Sequence, residues 1–171
     1  MGGDFGPAVT VPAAVTALAK HPALTLLLVG DENLIDPLLD EAGLGSSERV
    51  DVIHTAQKVE MDDKPSVALR NRRESSMRLA INSVKEGRAA AAVSAGNTGA
   101  LMAIARFVLK TLPGIDRPAI CGAIPGVDGK THMLDLGANV DSSSEELFRF
   151  AVMGSVLASA VDHKEAPTVA L

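Results

Sequence analysis

Three short polar stretches carry the residue types that could do chemistry. The first, Ser94-Ala95-Gly96-Asn97-Thr98-Gly99, lies between an apolar run and a helical pattern. Its glycines let backbone approach an anion, and the free N–H groups of the following helix would meet that anion with the positive end of the helix dipole. Ser94, Asn97 and Thr98 add neutral hydrogen-bond donors. The same residue types also build an ordinary capped turn. The Gly-Lys-Ser/Thr ending of a nucleotide-binding P-loop is missing. The second stretch, Asp135-Leu136-Gly137-Ala138-Asn139-Val140-Asp141, offers two carboxylates and an amide that could orient a substrate, move a proton or hold a divalent ion. A helix cap at Asp141 and a turn at Asn139 would account for them without any ligand, and they are a weak basis for a metal site. The third, Gly2-Gly3-Asp4-Phe5-Gly6-Pro7, is dense in glycine, as close approach to a ligand or a tight strand-to-helix turn would require.

Charged and nucleophilic residues elsewhere are sparse. Arg70, Arg72 and Arg73 make a compact basic spot, for which a solvated helix face is the default explanation. Arg117, just before Pro118, could act as a bidentate anion clamp. Cys121 sits in an apolar run with no neighbouring His, so a buried, inert thiol is expected. His21, His54, His132 and His163 are scattered and give no zinc spacing with that single cysteine. No nucleophile–base pair is legible.

The elements that position these residues alternate. Apolar spacing at Val11, Ala14, Val15 and Leu18, with Pro7 in the first turn, predicts a helix over 8–20. A continuous apolar run over 24–29 predicts a strand covered on both faces. A helix over 32–42 stopped by Gly43, a strand over 50–54 and a polar, Pro-marked connection over 61–65 follow. The next helix begins near Ser75-Ser76, buries Met77, Ala80, Ile81 and Val84, and stops at Gly87. The small residues 89–93 read as a strand entering the first polar stretch, with a helix over 100–110 beyond it. Strands over 119–124 and 131–136, joined through Asp128-Gly129, predict an antiparallel hairpin. Ser142 with Glu145 offers a capping box for a helix reaching about 161. The fold class expected is α/β: a layered, mostly parallel sheet covered by helices, with one antiparallel hairpin, forming a single domain over 1–171.

Composition excludes several functions. The 171 residues suffice for a hydrophobic core without disulfide staples. Sixteen Lys and Arg against 21 Asp and Glu leave a net charge of −5, against a role in general nucleic-acid binding. Four Phe with no Trp or Tyr leave an aliphatic core and almost no stacking platform. One cysteine suits a reducing, cytoplasmic setting, and no apolar run approaches a membrane span.

The opening string 1–7, Ser75-Ser76-Met77, the run 93–102, Gly114-Ile115-Asp116-Arg117-Pro118, the run 135–141 and Phe150-Ala151-Val152-Met153-Gly154 closely resemble, in order and spacing, the PlsX family of bacterial phosphate acyltransferases. The resemblance implies a fold similar to isocitrate and isopropylmalate dehydrogenases, a homodimer, and transfer of a fatty acyl group from acyl carrier protein to inorganic phosphate for phospholipid synthesis. It implies no cofactor and no metal, and a downstream membrane acyltransferase as a further partner. Asp4, Asn97, Asp135 and Asn139 would then be catalytic. Ser94, Gly96, Asn97, Thr98, Gly99 and Arg117 would hold phosphate, and Arg72 and Arg73 would meet the carrier protein. Family chains are about twice as long, so this chain is expected to be the N-terminal half of such an enzyme, lacking the first strand and the C-terminal half. The location implied is cytoplasmic, with peripheral contact at the inner membrane face through regions absent here. The rival expectations are a phosphotransacetylase-like transfer from coenzyme A thioesters and a non-catalytic fragment. A hydride-transferring relative is disfavoured, since no Gly-x-Gly-x-x-Gly turn occurs at a strand end.

Overall fold

Pro7 occupies the first turn of helix α1 (Pro7–Lys20), where its fixed φ is already helical and its missing N–H has no intrahelical partner to lose. The far end of α1 is closed by a residue from elsewhere. Arg49 Nη2 donates to the carbonyls of Leu18 (2.9 Å) and His21 (2.8 Å), while its Nε donates to Leu24 (3.0 Å). A guanidinium at these last carbonyls satisfies them and opposes the negative end of the helix. The computed structural model describes residues 2–127, 129–137 and 141–170, in two compact units, 1–110 and 111–171.

In the first unit, strands β1 (Leu26–Gly30) and β2 (Val50–His54) pair in parallel, with Leu28 opposite Val52. Helix α2 (Glu32–Glu41) connects them, capped by Asp31, whose carboxylate accepts from the Asn33 amide at 3.1 Å. Val11, Ile35 and Leu39 are buried together, with Leu28, Val50 and Val52 packed against them. A second apolar cluster lies among helices α3 (Pro65–Asn71), α4 (Ser76–Lys85) and α5 (Thr98–Leu109). Ala68, Met77, Ile81, Ala100, Ile104 and Val108 form its centre, with Val59. Met77 and Ile81 of the face predicted for α4 are thus buried, and Ala80 and Val84 partly so.

Two features of this unit differ from expectation. Helix α3 fills a segment for which the sequence suggested only a connection up to Pro65; at seven residues it is too short for a periodicity to declare itself. The run 89–93 is not a strand. It finds no ladder partner among the described residues, and Val93 is 95% exposed. Small apolar residues alone bury too little to fix an extended segment without a neighbouring strand.

The second unit contains an antiparallel hairpin of strands β3 (Cys121–Gly126) and β4 (Gly129–Leu134), as the sequence predicts, although the Asp128 of the proposed turn lies outside the described residues. Helix α6 (Ser144–Asp162) follows. Its capping box is Ser143 with Glu146, one residue later than the expected Ser142 and Glu145. Glu146 Oε2 accepts from the Ser143 amide at 2.8 Å and the hydroxyl at 2.9 Å, which fixes the start. Cys121 is exposed, contrary to the buried thiol expected, because β3 lies in a two-stranded hairpin with most of its residues open to solvent. The architecture is a mixed α/β one, with a parallel pair, an antiparallel hairpin and six helices among the described residues.

Candidate functional site

The first polar stretch is shaped by what its glycines admit. A Cβ on Gly3, where φ is +83°, would stand 2.9 Å from the Ala95 carbonyl oxygen, and one on Gly2 would stand 3.1 Å from Gly96 Cα. The opening glycines and the 94–99 loop therefore touch backbone to backbone, a contact no side-chain-bearing residue at position 3 could make without displacement. On its other flank, a Cβ on Gly96 would meet the Met77 methyl at 3.2 Å, and one on Gly99 would meet Pro65 Cγ at 3.0 Å. Asp4 follows this junction and is exposed.

Asn97 is the N-cap of α5. Its Oδ1 accepts from the Ala100 amide at 2.9 Å, satisfying one of the donors that every helix start leaves open. Its Nδ2 faces the carbonyls of Met61 (2.9 Å), Asp63 (2.9 Å) and Glu60 (3.2 Å). Two N–H bonds serve three acceptors, so both ends of the side chain are engaged. It is 9% exposed. An Asn in this state positions the helix start; its side chain is not available to substrate. The amides of Asn97, Thr98 and Gly99 donate to no acceptor among the described residues. The Thr98 hydroxyl is exposed beside them. Ser94 Oγ accepts from the Gly96 amide at 3.2 Å, which bends the loop toward the helix. Together these give three consecutive N–H groups at the positive end of a 12-residue helix, with small residues around them. Such an arrangement can bind an oxyanion and stabilise negative charge that develops on it.

The 60–63 loop that receives Asn97 is itself closed. The Asp63 amide donates to the Glu60 carbonyl at 3.2 Å, and Asp63 Oδ2 accepts from the Glu60 amide at 3.0 Å and from Arg72 Nε at 3.1 Å. The Glu60 amide, and then the Arg72 guanidinium, hold the Asp63 carboxyl below the usual carboxylate range, because both favour its charged form. Arg72 is thus tied into the fold, whereas Arg73 is exposed. The role of the 60–63 carbonyls was not legible beforehand, since no local pattern links residues 34 to 37 positions apart.

In the second unit, Asp135 Oδ1 accepts from the Ile120 amide at 3.1 Å. Arg117 pairs with Glu146 at 3.2 Å, and its side chain is half exposed. The Glu146 carboxyl is lowered first by the Ser143 amide and hydroxyl and then by Arg117 and Arg149. Asp141 is exposed, and Asn139 lies outside the described residues. A further cluster joins the hairpin to α6: Asp162 accepts from Lys130 and pairs with His132 Nε2, both at 2.8 Å. Among the described residues no group of His, Cys, Asp or Glu has the arrangement of a metal site.

The family model described as "Fatty acid synthesis protein" matches residues 1–171. The chain is similar to proteins named phosphate acyltransferase from Methylococcus capsulatus (58% identical over 171 residues), Nitrosococcus oceani (59% over 173) and Legionella pneumophila strain Paris (56% over 171). In each case all of this chain is covered and 50% of the relative, so the chain spans about half the length of the curated relatives it matches.

Proposed function

The chain belongs to the fatty acid synthesis protein family, and from that membership we propose that it supplies the phosphate-binding loop of an enzyme that moves an acyl group onto inorganic phosphate. The observation that supports this most directly is the run of amides at Asn97, Thr98 and Gly99 that find no acceptor among the described residues, beside the glycine junction. In the proposed reaction an oxygen of hydrogen phosphate forms a C–O bond to the carbonyl carbon of an acyl thioester. The C–S bond breaks, and the phosphate proton passes to the departing thiolate. The nucleophile comes with the substrate, so the protein supplies orientation and charge stabilisation instead of a Ser or Cys.

Asn97, Thr98 and Gly99 would offer backbone N–H groups, Ser94 and Thr98 hydroxyls, and Asp4 a neighbouring carboxylate, while Gly96, whose own amide donates to Ser94 Oγ, would leave room for the close backbone approach. Asn97 would act by holding these groups in place. Asp135, Asn139 and Arg117 enter the proposal through the family resemblance alone. The same resemblance supplies acyl carrier protein as the thioester donor, docked near Arg73, along with a homodimer of dehydrogenase-like fold, a cytoplasmic location and a membrane acyltransferase that consumes the product. No helix among the described residues is long and apolar enough to cross a membrane.

The test is made on a protein of the relatives' full length, supplied with phosphate and, in turn, palmitoyl carrier protein, palmitoyl coenzyme A and acetyl coenzyme A. Acyl phosphate trapped by hydroxylamine is expected with the carrier-protein thioester. Exclusive use of acetyl coenzyme A would instead assign a phosphotransacetylase-like reaction. Loss of one donor that meets the developing oxyanion would lower turnover by about 10²–10³-fold.

A further inference from the structure

Asp63 and Arg72 lie outside the three polar stretches, yet the start of α5 is built on them. The 60–63 loop is a ring closed twice, by the Asp63 amide on the Glu60 carbonyl and by the Asp63 carboxylate on the Glu60 amide. Closing the ring brings the carbonyls of Glu60, Met61 and Asp63 to one point, which Asn97 Nδ2 occupies. Two residues beyond Asp63, Pro65 abuts Gly99, so the same short segment touches the start of α5 twice. Arg72 fixes the ring from outside. Its Nε holds Asp63, and its own carbonyl accepts from the Ser75 hydroxyl at 2.7 Å and the Ser75 amide at 3.2 Å, where α4 begins. The Asp63 side chain is 14% exposed and that of Arg72 35%, so the pair is partly shielded from competing water.

We infer that Asp63 and Arg72 are a positioning pair that sets the orientation of the Asn97, Thr98 and Gly99 amides through the carbonyl cage around Asn97. The inference rests on the phosphate reading above in that phosphate is taken as the anion those amides meet. Arg72 then serves the anion site from behind, through Asp63 and the loop, rather than by touching the anion or a carrier protein. An amide that shifts by a fraction of an ångström relative to its neighbours no longer converges with them on one oxyanion, while the helix it belongs to persists.

The experiment follows ¹H–¹⁵N spectra of the 171-residue chain during titration with inorganic phosphate, for the wild type and for Asp63→Asn, Arg72→Ala and Arg72→Lys. Two quantities are read: the phosphate Kd from the Thr98 and Gly99 amides, and hydrogen exchange of the Asn97 side-chain amide. Arg72→Ala and Asp63→Asn are expected to weaken phosphate binding about five- to tenfold, the scale of one lost charge-assisted hydrogen bond, and to speed Asn97 exchange. Arg72→Lys is expected to recover most of both, since it returns a cation to Asp63. If Arg72→Ala does not fold, Asp63→Asn, which keeps the side-chain shape, carries the test. A folded variant with unchanged Kd and unchanged Asn97 exchange overturns the inference. Wild-type Thr98 and Gly99 signals indifferent to phosphate overturn the phosphate reading itself, and the Asn97 protons then still decide whether the pair holds that side chain.

Discussion

Asn97 Nδ2 donates to the carbonyl of Asp63 at 2.9 Å, joining the start of α5 to a loop 34 residues earlier in the chain. The same side chain accepts from Ala100 through its other end. A single amide group therefore bonds to both loop and helix, and the placing of the amides at the start of α5 depends on both of its ends at once.

Replacing that group separates the two functions. Asn97→Ala removes the N-cap and strands the carbonyls of Met61 and Asp63, that of Glu60 keeping the Asp63 amide, and is expected to lower stability by about 1–3 kcal/mol, measured by urea denaturation. Asn97→Asp keeps the cap oxygen but turns a carboxylate toward the carbonyls of Glu60, Met61 and Asp63. It should disturb the 60–63 amide resonances while leaving those of Ala100 near their wild-type positions.

The glycine junction predicts an asymmetry. Gly3→Ala combines a positive φ with a contact on a backbone oxygen, which cannot move aside, and is expected to cost about 1–3 kcal/mol. Gly96→Ala is tight only against the end of the flexible Met77 side chain, with Ser94 Oγ and Gly2 Cα at ordinary contact distance, and should cost less. Equal losses in thermal or urea melts would contradict the close approach of residues 2–3 to residues 95–96.

Acid should loosen the 60–63 ring. Asp63 titrates lower in the folded chain than in the unfolded one, so its contribution is fully present above the unfolded carboxylate range and is lost as pH falls through its folded value. The stability difference between the wild type and Asp63→Asn should be largest at neutral pH and shrink toward zero in acid. A difference that grows on acidification would show the sign to be wrong.

In the second unit, Asp162 is held below its usual range, first by Lys130 and then by His132. Asp162→Asn should weaken the tie between the end of α6 and β4, seen as faster amide exchange at residues 130–133. Exchange unchanged from wild type would mean the ion pairs are not formed in solution.

Cys121 should react with a maleimide in the native chain at a rate close to that in denaturant, because it is exposed on β3. Strong protection of the native thiol would restore the buried position that its apolar neighbours suggested.

What the sequence revealed followed the range of the interaction concerned. Helices α1, α2, α4 and α5 were legible from periodicity and terminal residues, and the hairpin from its turn, because those signals are local. The capping box of α6 was misplaced by one residue because two adjacent serines, Ser142 and Ser143, each have a glutamate three residues on. A strand over 89–93 was expected from apolar content, yet strand formation depends on a partner that composition does not reveal. At the site, the Ser94–Gly99 loop announced itself, since glycines next to a helix start form a local pattern. Asp63 and Arg72 did not. Their importance comes from where three main-chain oxygens converge, and no residue type records the direction of its own carbonyl.

Helix α1 leaves the glycine pair and, about 20 Å long by its 14 residues, sends Val11 into the apolar cluster of Ile35 and Leu39. Its first turns are thereby held at two points, the glycine pair against residues 95–96 and Val11 about one turn further on. Trimming that apolar socket, for example by Ile35→Ala, is expected to loosen the start of α1 and, through the glycine pair, to reach the 94–99 loop from outside it.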